Sequence, residues 1–472
     1  MAKHARRALV GSHTPQNQIR SLLASQVVWR ALDTLKPYPN NPRKHPDSQI
    51  AALIKSIRRG WTNPLLVDEN NTVLAGHGRL EAASRLGLVG VPTLTLSGLS
   101  DAEKRAIVIS DNKLPEKAVW DFALLSGHMK ELIAIDFDVE LTGFSTGEVD
   151  ILLDGPGAGE TDPADVIDET LLRGPAVSQP GDLWELGRHR IYCGDALEAG
   201  SYRALLANER AQMILTDVPY NVPINGHARG RGKICHREFA MASGEMSEAE
   251  FISFLETAME RVIAHSQNGS IHYWFIDWRH LYELQRAARN HYGAFKNLLV
   301  WNKSNAGQGS LYRSKHELIA VFKSVDAPHI NNVELGSNGR YRTNVLDYPG
   351  GASPNSKRQG ELALHPTLKP TALIADLMRD CSRRNGVILD PFAGSGTVCL
   401  AAERAGRIAR AIEIDPLYVD VAVARWQQMT GARAVHSNTR KSFPEMKSER
   451  AIPAEVAPVS RDSARRISRK RG

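Results

Sequence analysis

Two short stretches carry side chains whose types and order suggest chemistry. In ILTDVPYNVPI, Ile214–Ile224, an apolar run ends in Asp217, followed by Val218, Pro219 and Tyr220. A carboxylate, a main-chain carbonyl held extended by the next proline, and an aromatic face together suit a flat, polar ligand. In NGVILDPFAGSGTVCLAAERAGRIARAIEID, Val387–Leu389 reads as a buried strand and Thr397–Ala405 as a helix closed by Gly406. Gly394 and Gly396 between them permit a tight turn and close backbone approach. A second strand, Ala409–Ile414, carries Glu413, an acid placed to suit the two hydroxyls of a ribose.

What the turn lacks narrows the nucleotide. Cys399 stands where a dinucleotide fingerprint wants Gly or Ala, and Thr397-Val398 follow the last glycine where a phosphate loop has Lys then Ser or Thr. Asp390, at the strand end, repels phosphate but welcomes a cation. The combination fits S-adenosylmethionine, which carries an amine and a sulfonium. Methyl transfer to cytosine C5 needs a cysteine nucleophile, typically after proline, and no Pro-Cys pair occurs in the chain.

DPFAGSGT, Asp390–Thr397, resembles the S-adenosylmethionine motif of amino-group DNA methyltransferases. TDVPY resembles their catalytic Asp-Pro-Pro-Tyr, and HPTLKP, His365–Pro370, the segment that completes the cofactor pocket. The catalytic motif comes first, which is the order of the β group of that family. The resemblance implies a Rossmann-like, doubly wound α/β methyltransferase domain acting on double-stranded DNA. It implies that Asp217 and the Val218 carbonyl accept the two hydrogens of an exocyclic amine on an extruded base, while Pro219 holds the carbonyl and Tyr220 stacks on the base. Val218 departs from the family, where Pro is usual. An Asp at the first position goes mostly with N6-adenine; N4-cytosine, or an inactive ParB-like DNA-binding protein, are the alternatives. The cofactor set implied is Asp195, Thr367, Lys369, Asp390, Phe392, Gly394, Gly396, Thr397 and Glu413. The lesser alternatives are a helix cap for Asp195 and a surface position for Lys369, whose setting between Pro366 and Pro370 favours a role. Arg229, Arg231 and Lys233, in the basic NGHARGRGKICHREF, suit phosphate contact or a solvated loop.

Nearer the start, NTVLAGHGRLEAASRLGLVGVPTL resembles the ParB/sulfiredoxin-like domain. Gly76, Gly78 and Arg79 lie at its nucleotide-handling turn, where a nucleotide, DNA or the fold alone is the reason for the glycines. With no cysteine before Cys193, sulfiredoxin chemistry is excluded.

These sites need elements to hold them, and 472 residues are too many for one core. The expected order is a flexible 1–26, a small α/β ParB-like domain over 27–98, a helical extension over 99–154, a Gly/Pro/acid-rich linker over 155–180, the methyltransferase over 181–436 and a basic tail over 437–472. Strands are expected near Pro64–Val67, Val73–Ala75 and Val91–Leu96, helices at Asp47–Arg59, Gly78–Leu86, 100–127 and 145–154, and a capping box at Ser247–Phe251 opening a helix through Ala264. Target recognition is expected in 223–245 or 296–360. A net charge of +7 leans toward an anionic partner. No apolar stretch approaches the ~18 residues of a membrane helix, and the basic start lacks the apolar core of a secretory signal, so a cytoplasmic protein is expected. The cysteines Cys193, Cys235, Cys381 and Cys399 never form C-x-x-C, which predicts buried thiols and neither disulfides nor a metal site.

Overall fold

The computed structural model describes residues 26–39, 41–154, 163–165, 167, 174–221, 244–304, 306, 311–333, 340, 342–350 and 368–451. The chain divides into two compact units, Met1–Leu153 and Asp154–Gly472.

Among the described residues, the first unit holds five strands, β1 (Val28–Ala31), β2 (Lys36–Pro37), β3 (Leu65–Val67), β4 (Thr72–Ala75) and β5 (Gly90–Thr95), in the order β1-β5-β3-β4-β2. Leu35, Leu65, Val67, Val73, Ala83 and Val91 form its core. The helices Asp47–Arg59 and His77–Arg85 fall within a residue of the expected positions. The stretch expected as one helix over 100–127 is two, Asp101–Lys113 and Phe122–Ala134. Leu114 is still helical, the 3-10 turn Pro115–Lys117 follows, and the chain becomes extended at Ala118; Asp121 then caps the second helix through the Ala123 and Leu124 N–H groups. Helix Thr146–Asp154 follows, and Met129, Val139 and Val149 bury a small core of their own.

The second unit is built on ten strands: β6 (Leu183–Leu186), β7 (His189–Cys193), β8 (Ala211–Asp217), β9 (Ser266–Ile276), β10 (Ala294–Lys303), β11 (His316–Lys323), β12 (Val345–Tyr348), β13 (Val387–Asp390), β14 (Ile408–Glu413) and β15 (Val435–His436). Their order is β12-β10-β11-β9-β8-β13-β14-β7-β6-β15, and β9, β8, β13, β14 and β7 run parallel. Alternate residues of the central strands point into separate cores. Met213, Leu215 and Ile388 pack with Leu373, Leu377, Val398 and Val419 from the helices Thr371–Cys381, Thr397–Ala405 and Pro416–Thr430. Ile214 and Leu389 pack with Tyr202, Leu255 and Leu284 from Ala199–Leu206, Glu248–Ala264 and Leu281–Ala288 on the other face. Helices on both faces explain why β8 and β13 read as unbroken apolar runs. The expected doubly wound α/β fold is present.

From β8 the chain crosses to β9, and from β13 it crosses to β14 in the opposite direction. A crevice therefore opens between the carboxyl ends of β8 and β13, where ligands bind in such sheets. The expected capping box also forms, with the Ser247 N–H donating to Glu250 at 2.8 Å.

The strands β10, β11 and β12, which overlap the stretch 296–360, belong to this sheet, and most of 223–245 lies outside the described residues. Parts of the expected linker pack onto the second unit. Asp165 Oδ1 accepts from the Thr371 N–H at 2.9 Å and hydroxyl at 2.5 Å, and Ile167 is buried against Leu368 and Val421. Helix Thr371–Cys381 starts after Pro370, which has no capping side chain, so Asp165 caps it from a distance.

Gly396, at φ +76°, is where the turn after β13 meets helix Pro416–Thr430: a Cβ there would lie 2.4 Å from Ala422 Cβ. Gly396→Ala is expected to destabilise the protein by roughly 1–3 kcal/mol through overpacking and strain, checked by urea unfolding. Gly394→Ala, where a Cβ meets nothing within 4 Å, should cost less.

Candidate active site

The end of β8 is tied directly to the end of β13. The Thr216 hydroxyl donates to Asp390 Oδ1 at 2.9 Å, and the Phe392 N–H donates to the same oxygen at 3.1 Å. From β14, Glu413 Oε2 accepts from the Gly394 N–H and Oε1 from the Asp415 N–H, each at 2.8 Å. The Gly194 N–H donates to the Glu413 carbonyl at 2.9 Å, which brings Asp195 to the same strand end. Asp195 Oδ1 itself accepts from the Leu197 N–H at 2.8 Å, so it caps the following turn.

Beneath the turn, buried Arg425 donates to the Ser395 carbonyl at 2.7 Å, the Ser395 hydroxyl at 2.8 Å and the Thr397 hydroxyl at 3.1 Å. Thr397 thus serves the turn from below. Gly394, at φ +53°, leaves open space on the side a side chain would fill. Phe392 is half-buried, its ring centroid 5.7 Å from that of Phe254.

The electrostatics of this pocket are one-sided. Burial pushes Asp390 up to about 7, and the charges of Asp217 and Glu413 add to the rise. Burial likewise pushes Glu413 up to about 7, with Asp415 adding. Among the described residues, hydroxyl and main-chain donors hold both carboxylates. A bound cation would stabilise their ionised forms, so the pocket's chemistry fits a ligand with an amine and a sulfonium.

The neighbouring half of the crevice centres on Asp217. Its Oδ1 accepts from the Tyr220 hydroxyl at 2.6 Å, and its Oδ2 from Lys369 Nζ at 2.5 Å. Lys369, expected at the methionine end of the cofactor, contacts this carboxylate directly. Its ammonium also lies 3.2 Å from Glu317 Oε2, and Lys303 pairs with Glu317 Oε1. Burial alone would raise Glu317, but the two lysines outweigh it and hold it down at about 2. Burial raises Asp217 despite Lys369 and Tyr220, and the Asp217 and Glu317 charges hold Lys369 above its ordinary value against its own burial. Val218 turns its side chain into the core on the Trp274 side of the sheet, so an apolar residue is accommodated there without a proline.

Thr367, Arg229, Arg231 and Lys233 lie outside the described residues. Sequence reasoning missed Glu317, Lys303 and Asn221. Asn221, at φ +55°, accepts from the Gly244 and Met246 N–H groups at 3.0 and 3.2 Å, fastening the two ends of the 222–243 segment. An acid within the apolar HELIAVF of β11 was the available signal for Glu317.

Both Asp390 and Glu413 sit above the ordinary carboxylate value of about 4. They therefore favour the folded state below that pH and withdraw this support as pH rises through about 7. Ligand-free Glu413→Gln is expected to lose stability less steeply than wild type between pH 6 and 8, by at most about 1.4 kcal/mol per pH unit, read from urea unfolding at each pH.

The DNA methylase family matches residues 211–424, and the ParB-methyltransferase HTH domain matches residues 123–180. The ParB-like nuclease domain-containing protein YnaK of Escherichia coli (strain K12) is 47% identical over 81 residues, which are 17% of this chain and 93% of that protein. The type II methyltransferase M.ScaI of Streptomyces caespitosus is 27% identical over 262 residues, 50% of this chain and 80% of its own. A crystal structure of an M1.HpyAVI–SAM complex is similar at TM-score 0.37 and 20% identity, covering 50% of this chain and 97% of that one. The chain belongs to the ParB-like proteins through its amino-terminal unit, and behind that unit it carries a DNA methylase domain of the N6/N4 family.

Proposed function

We propose that this DNA methyltransferase moves a methyl group from S-adenosylmethionine to the exocyclic N6 of an adenine turned out of double-stranded DNA. One observation carries the reading. Asp217 ends β8, the Gly394 turn follows the adjacent β13, and Thr216 and Asp390 join the two strand ends at 2.9 Å. Neighbouring strands lie about 4.8 Å apart, which suits transfer in one step between ligands held at the two ends.

S-adenosylmethionine supplies an electrophilic methyl group on a sulfonium. Asp390, Glu413 and Asp195 line the side that takes its positive charge, ribose and adenine, the open face of Gly394 admits it, and Phe392 offers a ring. At the other side, the Asp217 carboxylate and the Val218 carbonyl accept the two amino hydrogens of the base. This localises the nitrogen lone pair that ring conjugation otherwise withdraws, in a site where burial strengthens each hydrogen bond. Tyr220, bonded to Asp217, holds that carboxylate's direction and presents its ring to the base. Arg229, Arg231 and Lys233 are proposed phosphate contacts, in the segment whose ends Asn221 fastens. Among the described residues no helix is long and apolar enough to cross a membrane, and the cytoplasm is the proposed location.

Adenine is favoured by the acid at position 217. Nucleosides from DNA methylated by the purified protein should contain N6-methyladenine; N4-methylcytosine would reassign the base. Asp217→Ala should lower the transfer rate by at least ~100-fold while S-adenosylmethionine affinity holds.

For the amino-terminal unit we propose a nucleoside triphosphate at Gly76-His77-Gly78-Arg79. Gly76 adopts φ +92° at the start of helix His77–Arg85, whose first N–H groups have no side-chain cap. Calorimetric titration of the full chain with each of the four ribonucleoside triphosphates should detect binding that Arg79→Ala weakens; no heat with any of them would remove the assignment.

A further inference from the structure

We propose that Lys369 is a movable counter-ion that occupies the Asp217 carboxylate until the target base arrives, and that Glu317 is the positioning residue that receives it. The inference rests on the methyl-transfer reading and adds how the carboxylate is freed.

Both Asp217 oxygens are occupied: Oδ1 by the Tyr220 hydroxyl at 2.6 Å and Oδ2 by Lys369 Nζ at 2.5 Å. Each carboxylate oxygen can accept a second hydrogen bond, so a base amine can reach Asp217 with both donors in place. The ammonium on Oδ2, however, neutralises the acceptor the amine needs, and full activation calls for Lys369 to leave it. The displaced ammonium cannot be left bare, because Lys369 is only 6% exposed and an unpaired buried charge is strongly unfavourable.

Glu317 provides the alternative. Its Oε2 is 3.2 Å from the same ammonium, so a small swing of the lysine end transfers it from one carboxylate to the other. Lys303 pairs with the other oxygen of Glu317 and so competes with Lys369 for its charge. The Tyr220 and Phe275 ring centroids, 5.6 and 5.4 Å from the ammonium, flank it with favourable aromatic faces.

The arrangement also resolves a conflict of charges. Burial raises Asp217 toward its neutral form, and the Lys369 charge opposes that before the base arrives. With the cation still on Asp217 during transfer, it would cancel the carboxylate's field just as the amine nitrogen turns positive. A lysine that moves to Glu317 on base entry serves both stages.

Steady-state methylation of duplex DNA by wild type, Glu317→Gln and Lys303→Met separates this device from general disruption of the cluster, with S-adenosylmethionine affinity measured on each protein. Glu317→Gln removes the receiving charge, and its KM for DNA is expected to rise about tenfold with cofactor affinity unchanged. Lys303→Met removes the competitor for Glu317, draws Lys369 toward it and should lower the KM for DNA. A wild-type KM in Glu317→Gln, or a rise in both variants, overturns the proposal. If Glu317→Gln does not fold, Lys303→Met decides alone, and a raised or unchanged KM counts against it. A wild type that methylates neither adenine nor cytosine sinks the underlying reading and this inference together.

Discussion

Burying carboxylates at the ends of adjacent parallel strands is costly, and the second unit is arranged around that cost. Asp217, Asp390 and Glu413 end β8, β13 and β14, where helices on both faces exclude water. Each is supported differently. Asp217 has a lysine, whereas Asp390 and Glu413 have hydroxyl and main-chain donors that leave them well above the ordinary carboxylate range. The crevice thus has one half whose charge is already balanced and one half that favours an incoming cation. The proposed function uses that division, with a positively charged methyl donor in one half and a carboxylate that activates the base in the other.

Holding this geometry takes contacts from distant parts of the chain. Arg425 fixes the glycine turn from below and also donates to the Ala164 carbonyl at 2.7 Å, while Asp165 caps the helix that begins two residues after Lys369. Leu368, beside Lys369, is buried with Ile167. Residues 164, 165 and 167, within the 123–180 match, therefore brace the stretch that carries Lys369, a role that Gly- and Pro-rich composition conceals.

Local signals explain what could be read in advance. The strand, glycine turn and helix around Asp390–Ala405 are legible because each depends on neighbours in sequence: an apolar run, two residues at positive φ and a helical repeat. The capping box at Ser247 is legible for the same reason. Glu317, Lys303 and Asp165 were not, because their partners lie elsewhere; Asp165 and Thr371 are 206 positions apart. Lys369 was recognised as a site residue, but the resemblance assigned it to the cofactor, and only the sheet order brings Asp217 and Glu317 to it. Residues 296–360 mix aromatic, Arg and Asn side chains, a composition that did not reveal the strands β10, β11 and β12. The turn Pro115–Lys117 and the extended Ala118 separate the helices Asp101–Lys113 and Phe122–Ala134.

The central claim is that the Asp217 carboxylate activates an exocyclic amine. Single-turnover methyl transfer by Asp217→Asn, with enzyme and cofactor in excess over duplex DNA, tests it most directly, because asparagine keeps the shape and one acceptor while losing the charge. Transfer slowed by roughly two orders of magnitude or more, with the cofactor still bound, is the predicted result. Transfer at the wild-type rate would contradict it.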